Sequence, residues 1–254
     1  MTDIMTDTNA LNSGLRILAV EASGPVAGCD LWENGTLTAE YSVQYKKKHS
    51  QSLVPMLSEM REMVDLELST IDLIAVTSGP GSFTGLRIGA ATVKGLGLAL
   101  EKPVLPVPTV DSLACNLYGT DRVICPLMDA RRQQVYTGIY ENRDGLVVLR
   151  PQCVIAFSEI AEELNQIGRE VIFLGDGVPV NEGAMRELLK VPYLLAPAHL
   201  NRQRAASTAV RAAQIYREQG EAALVSADDF RPEYLRIPQA ERERGDKRNY
   251  QIFV

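Results

Sequence analysis

A glycine-rich turn between an apolar run and a helix crowded with small residues constrains this chain more than any other stretch. Thr77-Ser78-Gly79-Pro80-Gly81-Ser82-Phe83-Thr84-Gly85-Leu86-Arg87-Ile88-Gly89 follows the apolar run 71–76, which reads as a buried strand, and leads into 86–100, which reads as a helix. Glycines at such a junction let the backbone turn sharply and approach another surface closely. A strand, a turn of this kind and a helix N-terminus can together cradle an anion, because free N–H groups point outward there. The turn lacks the closing lysine of a Walker A loop and the spacing of a dinucleotide fingerprint. Phosphate binding therefore does not follow from the turn alone.

The elements around it fall in a repeated order. Residues 15–20, 26–32 and 37–43 read as strands, the last two joined by Asn34-Gly35, a hairpin turn signal. Ser50 or Ser52 is placed to cap a helix in which Leu53, Met56, Leu57, Met60 and Val64 form one apolar stripe, with Pro55 tolerated in its first turn. The strand and helix flanking the glycine turn complete this half. Residues 103–108 read as a proline-dense crossing between subdomains, with a short helix near 110–117 after it. The second half runs through strands at 123–128, 134–140 and 146–154, a helix at 158–166, a strand at 171–174 and a helix at 181–189. A last amphipathic helix lies near 205–217.

Two copies of β-β-β-α-β-α predict an α/β fold of the duplicated actin-like kind, the ASKHA architecture of sugar kinases, Hsp70 and actin. The expected division is a disordered extension over 1–13, subdomains over 14–105 and 106–237, and a polar tail over 238–254. The last helix is expected to be able to pack back on the first subdomain.

Composition narrows the functional classes. At 254 residues and 46% hydrophobic content, the chain can bury one or two cores. No apolar run reaches membrane-spanning length, since Lys94 and several glycines interrupt 86–100. Residues 1–12 are polar and carry aspartates, unlike a secretory signal. Cys29, Cys115, Cys125 and Cys153 form no CxxC pair and sit in apolar segments, the pattern of buried free thiols in a reducing cytoplasm. A formal net charge of −6 argues against a principal RNA-binding surface. Lys46-Lys47-Lys48 reads as a solvated loop, and 241–248, alternating in sign, as a solvated tail.

The glycine motif also closely resembles that of the TsaB family, also called YeaZ, bacterial proteins needed to make threonylcarbamoyladenosine in transfer RNA. Other matches follow in register: Ile17-Leu18-Ala19-Val20-Glu21-Ala22-Ser23, His49-Ser50 with Leu53-Val54-Pro55, Pro106-Val107-Pro108-Thr109 with Ser112-Leu113, and Asp129-Ala130-Arg131-Arg132 with Val135-Tyr136. The resemblance runs in detail over about 15–140 and more loosely to about 237. It implies the actin-like fold independently of the element order.

Candidate chemistry is sparse. In ATP-using members of the superfamily the first strand usually ends in an acidic and a small hydroxyl residue, the place of Glu21-Ala22-Ser23 here. TsaB-like sequences more commonly carry the shorter aspartate, so Glu21 is a departure. Ser23, Gly79 and Gly81 are the candidates for contacting a nucleotide, with no cofactor otherwise expected and weak ATP or ADP binding left open. The two histidines, His49 and His199, are too far apart to share a helix face, and no HExxH is present. His49 is expected to organise the entry to its helix and His199 to sit in a loop after Pro197. Asp129, Arg131 and Arg132 lie between two strands and read as a charge-paired hairpin turn. Ser78 and Ser82 lack a GxSxG elbow and an evident base. No catalytic and no metal residues are assigned.

The helix after the glycine turn stands out differently. Gly89, Gly95 and Gly97 lower helix propensity, and with Ala90, Ala91 and Ala99 they add little apolar area, which is costly unless something packs closely. Gly89, Val93 and Gly97 share one face, which suits either its own sheet or another subunit. Met56, Met60 and Met63 on the preceding helix are adaptable apolar surface or plain core. The interface expected from these helices comprises Leu53, Met56, Leu57, Met60, Gly89, Val93 and Gly97.

The reading is a TsaB-like, cytoplasmic, non-catalytic subunit. By the resemblance, TsaD supplies the metal and transfers the threonylcarbamoyl group to the adenosine beside the anticodon. A TsaE ATPase binds near the junction, transfer RNA is met only through the complex, and the chain alone forms homodimers. The alternatives are a self-sufficient ATP-dependent actin-like enzyme (a kinase or transferase) and, last, a peptidase.

Overall fold

The computed structural model describes residues 14–45 and 48–236. The readings for residues 1–12, for Lys46 and Lys47 and for 241–248 lie outside the described residues.

Three antiparallel strands open the chain: β1 (Arg16–Glu21), β2 (Ala27–Glu33) and β3 (Thr36–Val43). Asn34 and Gly35, at φ of 52° and 86°, make the tight turn between β2 and β3. Helix α1 (His49–Met63) crosses to β4 (Leu73–Gly79), which runs parallel to β1. Helix α2 (Phe83–Leu100) then crosses to β5 (Val104–Pro108), parallel to β4. The sheet order is β3-β2-β1-β4-β5. All seven residues of β4 are buried, as a strand covered on both faces requires.

After a short helix α3 (Thr109–Ala114) the pattern repeats with β6 (Thr120–Asp129), β7 (Gln134–Asn142), β8 (Leu146–Ala156), α4 (Phe157–Ile167), β9 (Val171–Leu174), α5 (Val178–Leu188) and β10 (Tyr193–Leu195). Its order, β10-β9-β6-β7-β8, read from the other end is that of the first sheet. The molecule therefore has the duplicated actin-like architecture. Among the described residues no helix is long and apolar enough to cross a membrane.

Alternating side chains of β1 feed two cores. Ile17 and Ala19 face helix α6 (Ala205–Gln219), which returns from the second half to lie on the first sheet through Ala209, Ala212 and Ala213. Val20 with Ile74 and Val76 faces α1 and α2 through Leu53, Ala90 and Val93. In the second sheet, α4 and α5 cover Val123, Cys125, Leu127 and Phe173 on one face. Helix α3 covers Ile124, Met128 and Tyr140 on the other through Val110 and Leu113. Asp111 of α3 accepts from the Tyr140 hydroxyl at 2.9 Å and from Arg211 of α6 at 3.3 Å.

Four readings of the sequence are corrected. Residues 104–108 form a strand, not a crossing; it is an edge of the first sheet, where Pro106 and Pro108 need not bond on both sides. β10, three residues long, escaped notice because so short a run has no measurable period. Helix α1 starts at His49, so neither Ser50 nor Ser52 caps it and Pro55 lies inside it; the Gln51 carbonyl left without a donor is on the exposed side. Cys115 and Cys153 are only part-buried, while all four thiols are free.

An extended strap follows α6 and ties the halves together. Val225 exchanges two 2.9 Å backbone bonds with Val104, Phe230 is buried beside Val93, and the Glu233 N–H donates to the Ser78 carbonyl at 2.7 Å. Gln152 of β8 donates to the Glu233 carboxylate at 3.3 Å.

Candidate functional site

The glycine turn lies where the C-terminal ends of β1, β4 and β6 meet, and it closes on its own chain. A β-carbon on Gly79, whose φ is 128°, would sit 2.1 Å from the Glu233 carbonyl oxygen of the strap. On Gly81 it would sit 2.3 Å from the Ser23 carbonyl oxygen, and on Gly85 2.1 Å from that of Ala22. The Ser82 N–H donates to the Ser23 carbonyl at 2.7 Å. The Ser82 hydroxyl caps α2 by accepting from the Gly85 N–H at 3.3 Å.

At the nucleotide candidates Ser23, Gly79 and Gly81, close approach within the chain accounts for the glycines without a ligand. The Ser82 N–H, which could otherwise donate to an anion, donates to the Ser23 carbonyl. Both the N–H and the hydroxyl of buried Ser23 donate to Glu21 Oε1, at 2.6 and 2.5 Å. A glycine permits close approach whether the approaching group is a phosphate or a carbonyl of the same chain, and the sequence motif does not distinguish the two. Gly79→Ala is expected to lift Glu233 off Ser78 at a cost of about 1–3 kcal/mol. Hydrogen exchange at the Glu233 amide reads this out; unchanged protection would show that the loop does not hold the strap.

The cleft between the halves keeps a cavity of about 420 Å³, walled by Ser23, Gly81, Asp129, Arg131, Tyr136 and Asp176 among others. Asp129 pairs with Arg131 at 2.9 Å and accepts from the Arg131 N–H at 2.7 Å, the expected charge-paired turn. Burial holds the Asp176 carboxyl above its ordinary range. His49 bonds through Nε2 to the Gly24 carbonyl at 2.9 Å, fixing the start of α1. His199 is exposed in the turn after Pro197. Among the described residues no three His, Cys, Asp or Glu side chains converge as metal ligands.

Beneath the cleft two carboxyls are fully buried. Glu21 is pushed up to about 7 by desolvation, partly offset by its bonds from Ser23. Its Oε2 has no hydrogen-bond partner among the described residues. Asp30 of β2 is pushed up to about 8 by desolvation and by Glu40 opposite it on β3, partly offset by Arg204.

The helix pair α1–α2 offers the other candidate surface, with the expected residues largely turned inward. Leu53, Met56, Met60 and Val93 are buried in the chain's own cores. Gly89 stands against Ala22, and Gly97 against Ala227 of the strap and the Lys102 carbonyl. The small-residue face thus serves the sheet and the strap, because the strap must pass close to α2 to reach Ser78. Of the expected set, Leu57 and the buried Met60 line the groove between the helices.

That groove, about 420 Å³ in volume, is lined by Val54, Leu57, Ala91, Thr92, Gly95 and Leu96 among others. Val54, Met63 and Leu98 are exposed around it. A β-carbon on Gly95 would meet nothing within 4 Å. Apolar groups left bare on two adjacent helices are the feature a docking partner would cover.

A family model for TsaD, tRNA N6-adenosine threonylcarbamoyltransferase, matches residues 39–243. The tRNA threonylcarbamoyladenosine biosynthesis protein TsaB of Bacillus subtilis (strain 168) is 32% identical over 228 residues, 89% of this chain and 96% of its own length. The chain belongs to the TsaB family. The protein of the same name from Escherichia coli (strain K12) is 30% identical over 174 residues, covering 64% of this chain and 72% of its own. The solved structure of YeaZ from Pseudomonas aeruginosa superposes with a TM-score of 0.73 at 26% identity, over 87% of this chain and 100% of that one.

The α2 residues expected at an interface are packed inside the chain, and the small and apolar residues left exposed on α2 lie on its other side. The outer face is legible in the sequence: Ala91, Gly95 and Leu98 recur at helical spacing, about half a turn from Gly89, Val93 and Gly97.

Proposed function

We propose that this chain is a non-catalytic subunit in the synthesis of threonylcarbamoyladenosine on transfer RNA, docking through the α1–α2 groove on a TsaD-type partner that carries the metal and the chemistry. The observation that carries the reading is the apolar groove between Val54–Leu57 and Ala91–Gly95, open to solvent on a helix pair otherwise packed into the core. The pathway comes from the names of the relatives. Two helices from each partner would close into a four-helix bundle, the close approach being made at Gly95. Without the partner the same face would pair two copies of the chain. A TsaE-type ATPase would meet the pair near its junction, transfer RNA would be reached through the partner, and the assembly would work in the cytoplasm.

A transfer assay with tRNA and the threonylcarbamoyl adenylate tests the division of labour. The chain alone should give no turnover, and turnover should require the TsaD homologue; robust turnover by the chain alone would end this reading.

Gly95→Leu tests the surface. A β-carbon at Gly95 meets nothing within 4 Å, so a leucine there projects into the open groove, and replacing a helical glycine favours the helix by up to about 1 kcal/mol. In the complex its methylenes would hold the helices apart at about 1–3 kcal/mol, weakening partner affinity by roughly one to two orders of magnitude. Calorimetric titration with the TsaD homologue measures this. Wild-type affinity in the variant would place the interface elsewhere.

A further inference from the structure

The cleft has a wall in each half, with Ser23, Gly81 and Ser82 on the first and Ala130, Arg131 and Asp176 on the second. Away from these walls the halves meet through α3 and α6, where the Ser112 and Thr208 hydroxyls stand 2.9 Å apart. Two sheets joined on one side and facing a cavity on the other can swing about the joined side unless something ties the walls together. The end of the strap ties them.

Its upstream anchors are in the first half. Phe230 is buried in the core beneath α2, and the Glu233 carbonyl fills the space that Gly79 leaves, while its N–H donates to the Ser78 carbonyl at 2.7 Å. Tyr234 rests on Phe83, the residue after Ser82, with ring centroids 5.1 Å apart. Two residues later Arg236 donates to the Ala130 carbonyl and, at 3.2 Å, to that of Arg131, both on the opposite wall. The backbone from Tyr234 to Arg236 spans at most about 7 Å, so it has little slack to follow the walls as they separate. Gln152 of β8 adds a second tie from the second half. Its Nε2 donates to the Gly79 carbonyl at 3.1 Å and to the Glu233 carboxylate at 3.3 Å, and its Oε1 accepts from the Val110 N–H at 3.3 Å. Phe83, Gln152, Tyr234 and Arg236 are all part-exposed, so these hydrogen bonds and this ring contact can break and re-form without unfolding either half.

We propose that residues 233–236 are a latch between the two walls of the cleft: closed, it holds the cleft at its present width, and released, it lets the halves move apart about α3 and α6. The strap is then a conformational device as well as a packing element. Phe83 is the first residue of α2, so the closed latch also ties the cleft to a helix that lines the docking groove.

Spin labels on keto amino acids placed at Glu59 of α1 and Val180 of α5, both exposed, read the distance between the halves and leave the four cysteines untouched. Labelled chain is diluted into unlabelled chain, so that only distances within one molecule are read. By double electron–electron resonance the otherwise unaltered full chain should give one narrow distance. Tyr234→Ala/Arg236→Ala should add a longer component holding about 10% or more of the molecules. Gln152→Ala should act in the same direction to a smaller extent, and it decides the matter if the double variant does not fold, a cooperative urea transition being the check on each. Unchanged or shorter distances in the folded variants overturn the proposal, as does a longer component that already dominates before either substitution.

Discussion

Gly97→Leu should lower the melting temperature by roughly 6–12 °C while the protein that remains folded binds its TsaD-type partner normally. The β-carbon alone would stand 2.6 Å from that of Ala227 and 2.9 Å from the Lys102 carbonyl oxygen. Neither neighbour can yield cheaply. The Lys102 N–H is bound to the Gly97 carbonyl at 2.9 Å, closing the end of α2. Ala227 belongs to the strap fixed by the paired bonds between Val104 and Val225. Three further carbons beyond the β-position must push strap and helix apart, at a cost of about 3 kcal/mol. Thermal unfolding and partner affinity measured on one preparation give the answer. An unchanged melting temperature with weakened affinity would mean that this face meets another subunit after all. Gly95→Leu, two residues away on the outer face, should show the reverse pattern.

That contrast marks the limit of what the sequence discloses. The strand order of each half, the hairpin at Asn34-Gly35 and the strand–turn–helix around Gly79 follow from local chemistry: period, turn residues and caps. The match between the two halves was visible for the same reason. Which face of α2 is buried was not, because Gly89, Val93 and Gly97 and the set Ala91, Gly95 and Leu98 are both small and apolar. What separates them is the strap of residues 224–236, whose path along α2 is set by contacts more than a hundred residues apart in the chain, such as Lys94 to the Asp228 carbonyl at 2.9 Å. The strap also explains Gly79, read from the sequence as a candidate for phosphate contact and filled in the fold by Glu233. β5 was hidden by its prolines, which an edge strand tolerates and a central one does not.

Raising the pH should destabilise the protein through Glu21 and Asp30, and neutral replacements should abolish the effect. Their folded-state values, about 7 and about 8, lie above the ordinary 4.5 and 3.8. A carboxyl with a raised folded value keeps a proton that the unfolded chain releases, so its stabilising contribution is whole below about pH 4 and falls as pH rises toward 7 or 8. Above the folded value it is gone, and both states are ionised. The groups facing them bear this out chemically: Ser23, Thr77 and Thr208 around Glu21 bring no positive charge, and Arg204 beside Asp30 is engaged with Glu40. At about 1.4 kcal/mol for each unit of displacement, the combined loss across that window is on the order of 3–5 kcal/mol once relaxation of the buried sites is allowed for. Glu21→Gln with Asp30→Asn should therefore match the wild type near pH 5 to within about 1 kcal/mol and exceed it by a few kcal/mol at pH 8.5. Urea unfolding of both proteins at the two pH values measures the difference. Parallel pH curves would show that these carboxyls are ionised in the folded chain at neutral pH, and that the unpartnered Glu21 Oε2 and the Asp30 oxygens find compensation that their surroundings in the fold do not provide.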